Sequence, residues 1–245
     1  MHCFYCEANN VAGEQITITG SDVNHIKNVL RMERGEELMV CDGTGMQYTC
    51  QIADYPAGEV ILSVLKAEKA STELPVRLKL YQGLPKKDKM ELIIQKAVEL
   101  GVTEIVPVAT KRCVVKLDDK KAASKIVRWQ SIAEAAAKQS KRGIIPQVLP
   151  VQSFKLALQQ AQDLDVRLIP YELASGMEHT RELLGAVRSG QSVAVFIGPE
   201  GGFEENEIAL AKEYGVEPIT LGKRILRTET AGMTVLAWIG YLLEQ

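Results

Sequence analysis

The sequence predicts an α/β protein: a parallel sheet layered with helices in a larger C-terminal part, preceded by a smaller β-rich part. Three observations carry this reading. Residues 1 to about 70 break into short apolar runs with turn punctuation. From residue 75 onward, strand-like and helix-like segments alternate. Between them lies Lys69-Ala70-Ser71-Thr72-Glu73-Leu74-Pro75, polar and closed by proline. The division is therefore placed between 1–72 and 73–245.

In the first part, strands are expected at 15–18, 37–41, 46–52 and 59–66. A short helix is expected at 21–31, capped by Ser21. Asp42-Gly43-Thr44-Gly45 is a hairpin signal, and Pro56-Ala57-Gly58 separates the last two strands. Many short strands of this kind predict a small barrel. In the second part, strands are expected at 77–82, 104–108, 166–170, 193–197 and 217–221. Met90, Ile93, Ile94, Ala97 and Val98 form one stripe of a helix over 86–100, stopped by Gly101. Further helices are expected at 122–141, 178–189, 204–214 and 230–243.

Composition narrows the function classes. The chain is 46% hydrophobic and 24% charged, which supplies ample material for a core and excludes disorder. No apolar run reaches the roughly 18 residues of a membrane span. The N-terminus has neither a basic leader nor a long apolar stretch, so a cytoplasmic protein is expected. Cys3 and Cys6 form a lone C-x-x-C with no second close pair, and no His/Asp/Glu cluster has ligand spacing; no metal is expected. Net charge is −2, yet the segment 111–142 holds ten Lys or Arg against Asp118, Asp119 and Glu134, a local +7. A solvated helix face and a nucleic-acid footprint both fit such a block.

Three predicted strands end in unusual loops: Leu168-Ile169-Pro170-Tyr171-Glu172, Phe196-Ile197-Gly198-Pro199-Glu200-Gly201-Gly202-Phe203, and Leu221-Gly222-Lys223-Arg224-Ile225-Leu226-Arg227-Thr228-Glu229-Thr230-Ala231. Ligands of parallel α/β sheets bind beyond the carboxyl ends of strands, so these loops would converge on a site. The glycine run lets a ligand approach the backbone closely. It is not G-x-G-x-x-G, no G-x-x-x-x-G-K-[ST] occurs, and no G-x-S-x-G elbow exists. Dinucleotide, P-loop and serine-hydrolase chemistry are thereby disfavoured.

Together with Asn24-His25-Ile26-Lys27-Asn28-Val29-Leu30-Arg31, Leu84-Pro85-Lys86-Lys87-Asp88-Lys89-Met90 and the stretch from Glu134 to Arg142, the last two loops closely resemble the bacterial 16S ribosomal RNA uridine-N3 methyltransferases of the SPOUT class. The resemblance runs from about residue 20 to the end. It implies a PUA-like RNA-binding barrel, an α/β domain with a C-terminal trefoil knot, a homodimer, and S-adenosylmethionine as methyl donor. The implied partner is 16S ribosomal RNA or the small ribosomal subunit. Carried over by position, the cofactor-binding residues are Leu168, Pro170, Tyr171 and Glu172; Ile197, Gly198, Pro199, Glu200, Gly201 and Gly202; and Leu221, Gly222, Arg224, Ile225, Leu226 and Arg227. RNA contacts are expected from His25, Arg31, Lys86, Lys87, Lys138, Lys141 and Arg142. Uridine N3 carries a proton at neutral pH, so its methylation needs a proton acceptor and a positive charge near the uracil oxygens. Glu229 or Glu200 would fill the first role and Arg227 the second. The competing reading is a non-catalytic RNA-binding factor of ribosome assembly; three convergent strand-end loops speak for an enzyme.

Overall fold

A computed structural model describes residues 1–174 and 176–244. The chain folds as two compact units: 1–73 with 137–145, and 74–136 with 146–245. The segment 137–145, which the sequence division assigns to the second part, thus packs within the first. Its anchor is Glu73, whose carboxylate accepts the Gly143 and Ile144 amides at 2.9 and 3.1 Å and pairs with the Arg142 guanidinium at 2.5 Å.

The first unit is a six-stranded mixed sheet. Its strands are β1 (Cys3–Tyr5), β2 (Val11–Ala12), β3 (Gln15–Thr19), β4 (Glu37–Cys41), β5 (Met46–Asp54) and β6 (Glu59–Lys69), in the order β1-β4-β5-β6-β3-β2. The four strands read from sequence are present; the two short N-terminal ones were not anticipated. Strand alternation puts Ile16, Ile18, Leu38, Val40, Ile52, Val60 and Leu62 into one core with Phe4 and Ile26. The expected helix 21–31 is instead a single turn α1 (Ser21–Asn24) running into a π-helical turn over His25–Val29, after which Arg31 turns left-handed at φ 54°.

The second unit holds a wholly parallel sheet: β7 (Arg77–Gly83), β8 (Val102–Ala109), β9 (Gln147–Val148), β10 (Gln152–Ser153), β11 (Val166–Pro170), β12 (Ser192–Ile197) and β13 (Glu217–Ile219). The order is β10-β8-β7-β12-β11-β13, with β9 also on β8. Its helices are α2 (Lys89–Glu99), α3 (Asp119–Gln139), α4 (Phe154–Ala161), α5 (Met177–Gly185), α6 (Glu205–Glu213) and α7 (Thr228–Leu243). The five longer strands and the helices other than α4 match the expected segments to within a few residues at their ends. β12 is buried at every position, as a central strand covered on both faces must be. Tyr81 and Phe196 stack at 4.4 Å across β7 and β12, within a core that includes Phe154, Ile169 and Phe203. Among the described residues no helix is long and apolar enough to cross a membrane.

Candidate active site

Strand order explains the site. β12, β11 and β13 are neighbours in register, so their carboxyl ends open side by side. The loops after them line a single cleft of about 500 Å³. Of the sixteen cofactor-contacting residues expected from sequence, the cleft is lined by all except Leu168. Leu168 is fully buried in the middle of β11, with its neighbours Val195 and Glu217 across the ladders, so its side chain belongs to the core. Lys89, Phe203, Thr220, Lys223, Thr228 and Ala231 complete the lining; Phe203, Lys223, Thr228 and Ala231 belong to the loops singled out from sequence, whereas Lys89 and Thr220 lie outside them.

Each loop is pinned by polar contacts. The Tyr171 amide donates to the Ile219 carbonyl at 3.0 Å, tying the first loop to β13. The Thr180 hydroxyl on α5 donates to the Thr220 carbonyl and accepts the Thr220 amide, both at 3.1 Å, which fixes the start of the third loop. The glycine-rich loop is held at three points. Arg112 Nη1 donates to the Gly201 carbonyl at 2.7 Å, the Lys86 amide donates to Glu200, and the Thr228 hydroxyl donates to the Gly198 carbonyl at 2.6 Å. Gln82, wholly buried at the end of β7 opposite Ile197, donates through Nε2 to Thr228 Oγ1 at 2.9 Å. Gln82 and Thr228 therefore form one relay that joins β7, the glycine-rich loop and the start of α7.

The glycines act by close approach. A Cβ on Gly83 would lie 2.8 Å from the Pro199 backbone nitrogen, so only glycine lets β7 end against this loop. Gly202 adopts φ +66°, which ends the loop at little cost before α6. α6 then starts with a reciprocal cap, in which the buried Glu207 carboxylate accepts the Glu204 amide at 2.9 Å and the Lys111 amide at 3.0 Å.

The expected catalytic residues divide. Arg227 is exposed at the N-cap of α7, lines the cleft, and has no ion-pair or hydrogen-bond partner for its side chain among the described residues. Glu200 also lines it. Burial pushes the Glu200 carboxyl up, but backbone N–H donors, the Lys86 amide among them, and the Lys89 ammonium outweigh this and hold it below its ordinary value. Glu229 is outside the lining, in the first turn of α7, and pairs with the lining residue Lys89.

The expected RNA contacts also divide. In the first unit His25 and Arg31 are exposed on either side of the π-turn, His25 edge-on to Phe4 at 5.9 Å. Lys138 and Lys141 are exposed there too; Lys138 pairs with Asp22 at 3.0 Å and lies over the Tyr5 ring. In the second unit Lys86 and Lys87 are exposed beside the cleft loop. Arg142 corrects the expectation. It is 2% exposed, its carbonyl accepts the Tyr5 hydroxyl, and its guanidinium is committed to Glu73, so it builds the fold rather than presenting charge to a phosphate. Half of the ten cations of the wider +7 block are ion-paired, Lys138 and Arg142 among them. Lys121 pairs with Asp118, Arg128 with Glu91 and Lys111 with Glu204.

A parallel α/β unit with a cleft built from three strand-end loops defines a small-molecule binding domain. Residues 72–240 match the RNA methyltransferase domain family, and residues 18–65 match the RNA methyltransferase PUA domain. The chain belongs to this RNA methyltransferase family. It is 40% identical over 231 residues to the ribosomal RNA small subunit methyltransferase E of Bacillus subtilis, covering 93% of this chain and 90% of that one. It is 35% identical to the Synechocystis protein of the same name, covering 96% and 77%. Its fold superposes with TM-score 0.83 on the ribosomal RNA small subunit methyltransferase E of Neisseria gonorrhoeae bound to S-adenosylmethionine, at 34% identity over 99% and 98% of the two chains.

Proposed function

We propose that this protein transfers a methyl group from S-adenosylmethionine to N3 of a uridine in 16S ribosomal RNA, as a homodimer in the cytoplasm. The observation that carries the reading is the cleft at the carboxyl ends of β11, β12 and β13, in a chain whose relatives are named for methyl transfer to small-subunit ribosomal RNA. The cleft's chemistry fits the cofactor. Ile197, Leu221, Ile225 and Leu226 offer apolar surface for a purine, backbone groups of the glycine-rich loop are open to polar contact, and Glu172 and Glu200 offer negative charge to a cationic donor. When bound, the cofactor supplies an electrophilic methyl group.

The chain's own residues supply the rest. Arg227 brings an uncompensated positive charge to the cleft, where it would stabilise the uracil oxygen that gains charge as N3 loses its proton. Glu200, ionised at neutral pH, or Glu229 would accept that proton directly or through water. The N3 edge must be unpaired to enter, so the target is a looped or flipped base. Residues 1–72, joined by the returning segment 137–145, would grip the RNA through His25, Arg31, Lys138 and Lys141. The rest of 73–245 would carry the chemistry, with Lys86 and Lys87 beside the cleft. In the same reading the loops of 168–227 and α7 form a trefoil knot. Mass spectrometry of ribosomal RNA from cells lacking the protein tests the proposal: one N3-methyluridine of 16S RNA should be lost and return on complementation. Retention of every methylated uridine would refute it.

A further inference from the structure

Lys89 opens α2 and lines the cleft, yet the chemistry above gives it no part. Its Nζ lies 3.2 Å from Glu200 Oε1 and 3.4 Å from Glu229 Oε2. The first carboxylate belongs to the glycine-rich loop; the second belongs to the first turn of α7, just after the third loop. One ammonium therefore joins three segments of the chain that are distant in sequence. Glu200 has further support, since the Lys86 amide donates to both its oxygens at 3.1 and 3.3 Å. Glu229 has less: its Oε2 is buried and makes no hydrogen bond among the described residues, so the nearby ammonium is what compensates its charge. The three side chains are 27, 26 and 17% exposed, so solvent screens them only in part.

Two carboxylates face one cation here. With the cation gone, both would be ionised at close range without compensation, which raises the pKa of one or drives the two segments apart. Either outcome disturbs the wall of the cleft. The remaining charged groups of the lining are Glu172, Lys223, Arg224 and Arg227, from the first and third loops. Asp88 precedes Lys89, but the ion pairs of Lys89 are with Glu200 and Glu229.

We propose that Lys89 is a positioning residue: it pins the glycine-rich loop and the start of α7 to one point of the cleft wall, so that the cleft is preformed for the methyl donor. This rests on reading the cleft as the donor site. Its energetic basis is the mutual compensation of the three charges, not the packing of the lysine stem, and that difference is testable.

The experiment is calorimetric titration of S-adenosylmethionine into the full chain and three variants. Lys89→Met should bind about tenfold or more weakly near neutral to mildly alkaline pH, the loss expected when a partly buried charge is left without its partner. The deficit should shrink as pH falls and one carboxylate takes up a proton. Lys89→Arg should retain affinity. The double variant Lys89→Met/Glu229→Gln should recover most of it, because a single carboxylate has no like neighbour. Unchanged binding by Lys89→Met, or a double variant as weak as the single one, would overturn the proposal. If Lys89→Met does not fold, the double variant decides alone: a folded protein that binds supports the charge cluster, and a folded protein that does not bind refutes it. Failure of the wild-type chain to bind would instead overturn the assignment of the cleft.

Discussion

Arg227 and Thr228 are adjacent, yet the structure gives them opposite tasks. Arg227 is exposed and unpartnered among the described residues, whereas the Thr228 side chain is buried and makes two hydrogen bonds. Arg227→Ala should lower single-turnover methyl transfer by roughly a hundredfold or more, the scale of removing one charge-stabilising donor, with S-adenosylmethionine affinity almost unchanged. If saturating RNA restores the rate, Arg227 serves binding alone. Thr228→Val keeps the shape but strips the hydroxyl from the Gly198 carbonyl and from Gln82 Nε2. The Gly198 carbonyl loses this donor and Gln82 Nε2 keeps only the Gly83 carbonyl as acceptor, which should cost about 1–3 kcal/mol in denaturant unfolding, together with a loss of donor affinity. An unaltered midpoint and affinity would show that the relay does not hold the loop. Arg227 could be read from sequence because it closes a distinctive loop. Gln82, Thr228 and Lys89 could not be read as a network, since their partners lie far along the chain and nothing in local spacing announces them.

At the scale of elements, apolar periodicity carried most of the fold. The run 192–197 has no polar interruption beyond Ser192 and is a strand buried throughout; the stripe from Met90 to Val98 is the buried face of α2. The three loops were legible because proline closes β11, Gly198-Pro199 follows β12 and Gly222 follows β13. Their convergence was an expectation from the general rule, and the adjacency of β12, β11 and β13 supplies its cause. Two readings failed for physical reasons. The helix expected at 21–31 gives way to a π-turn, a change of hydrogen-bond pattern that its residue types do not encode. Arg142 falls into a basic block by charge counting, which does not see Glu73, 69 residues earlier. α7 carries a prediction of its own. Val235, Leu236 and Ile239 are buried, while Tyr241 and Leu242 remain exposed, Tyr241 by 82%. If this end of the helix forms the proposed dimer, Tyr241→Glu should shift sedimentation toward a monomer at micromolar concentration. An unchanged species in sedimentation velocity would place any interface elsewhere.

At the scale of the whole molecule, a net charge of −2 must still accommodate a polyanion. Lys138 and Lys141 are exposed cations of the first unit, and an exposed pair such as Lys138–Asp22 is weak enough to exchange for a phosphate. Every phosphate that a lysine neutralises adds roughly 0.7 to 0.9 to the magnitude of the salt slope of binding, through the counterions it releases. Lys138→Gln/Lys141→Gln should therefore flatten the slope by about one to two and leave donor affinity intact; an unaltered slope would show that these lysines do not touch RNA. The central claim is that the cleft of the second unit performs methyl transfer to uridine N3 in small-subunit ribosomal RNA. The most direct test incubates the purified protein with labelled S-adenosylmethionine and small subunits from cells lacking it, followed by nucleoside analysis of the 16S RNA. Label is expected in N3-methyluridine, at one site per RNA, and Arg227→Ala should slow its appearance by roughly a hundredfold or more. Label in another nucleoside, or none from a protein that binds the donor, would contradict it.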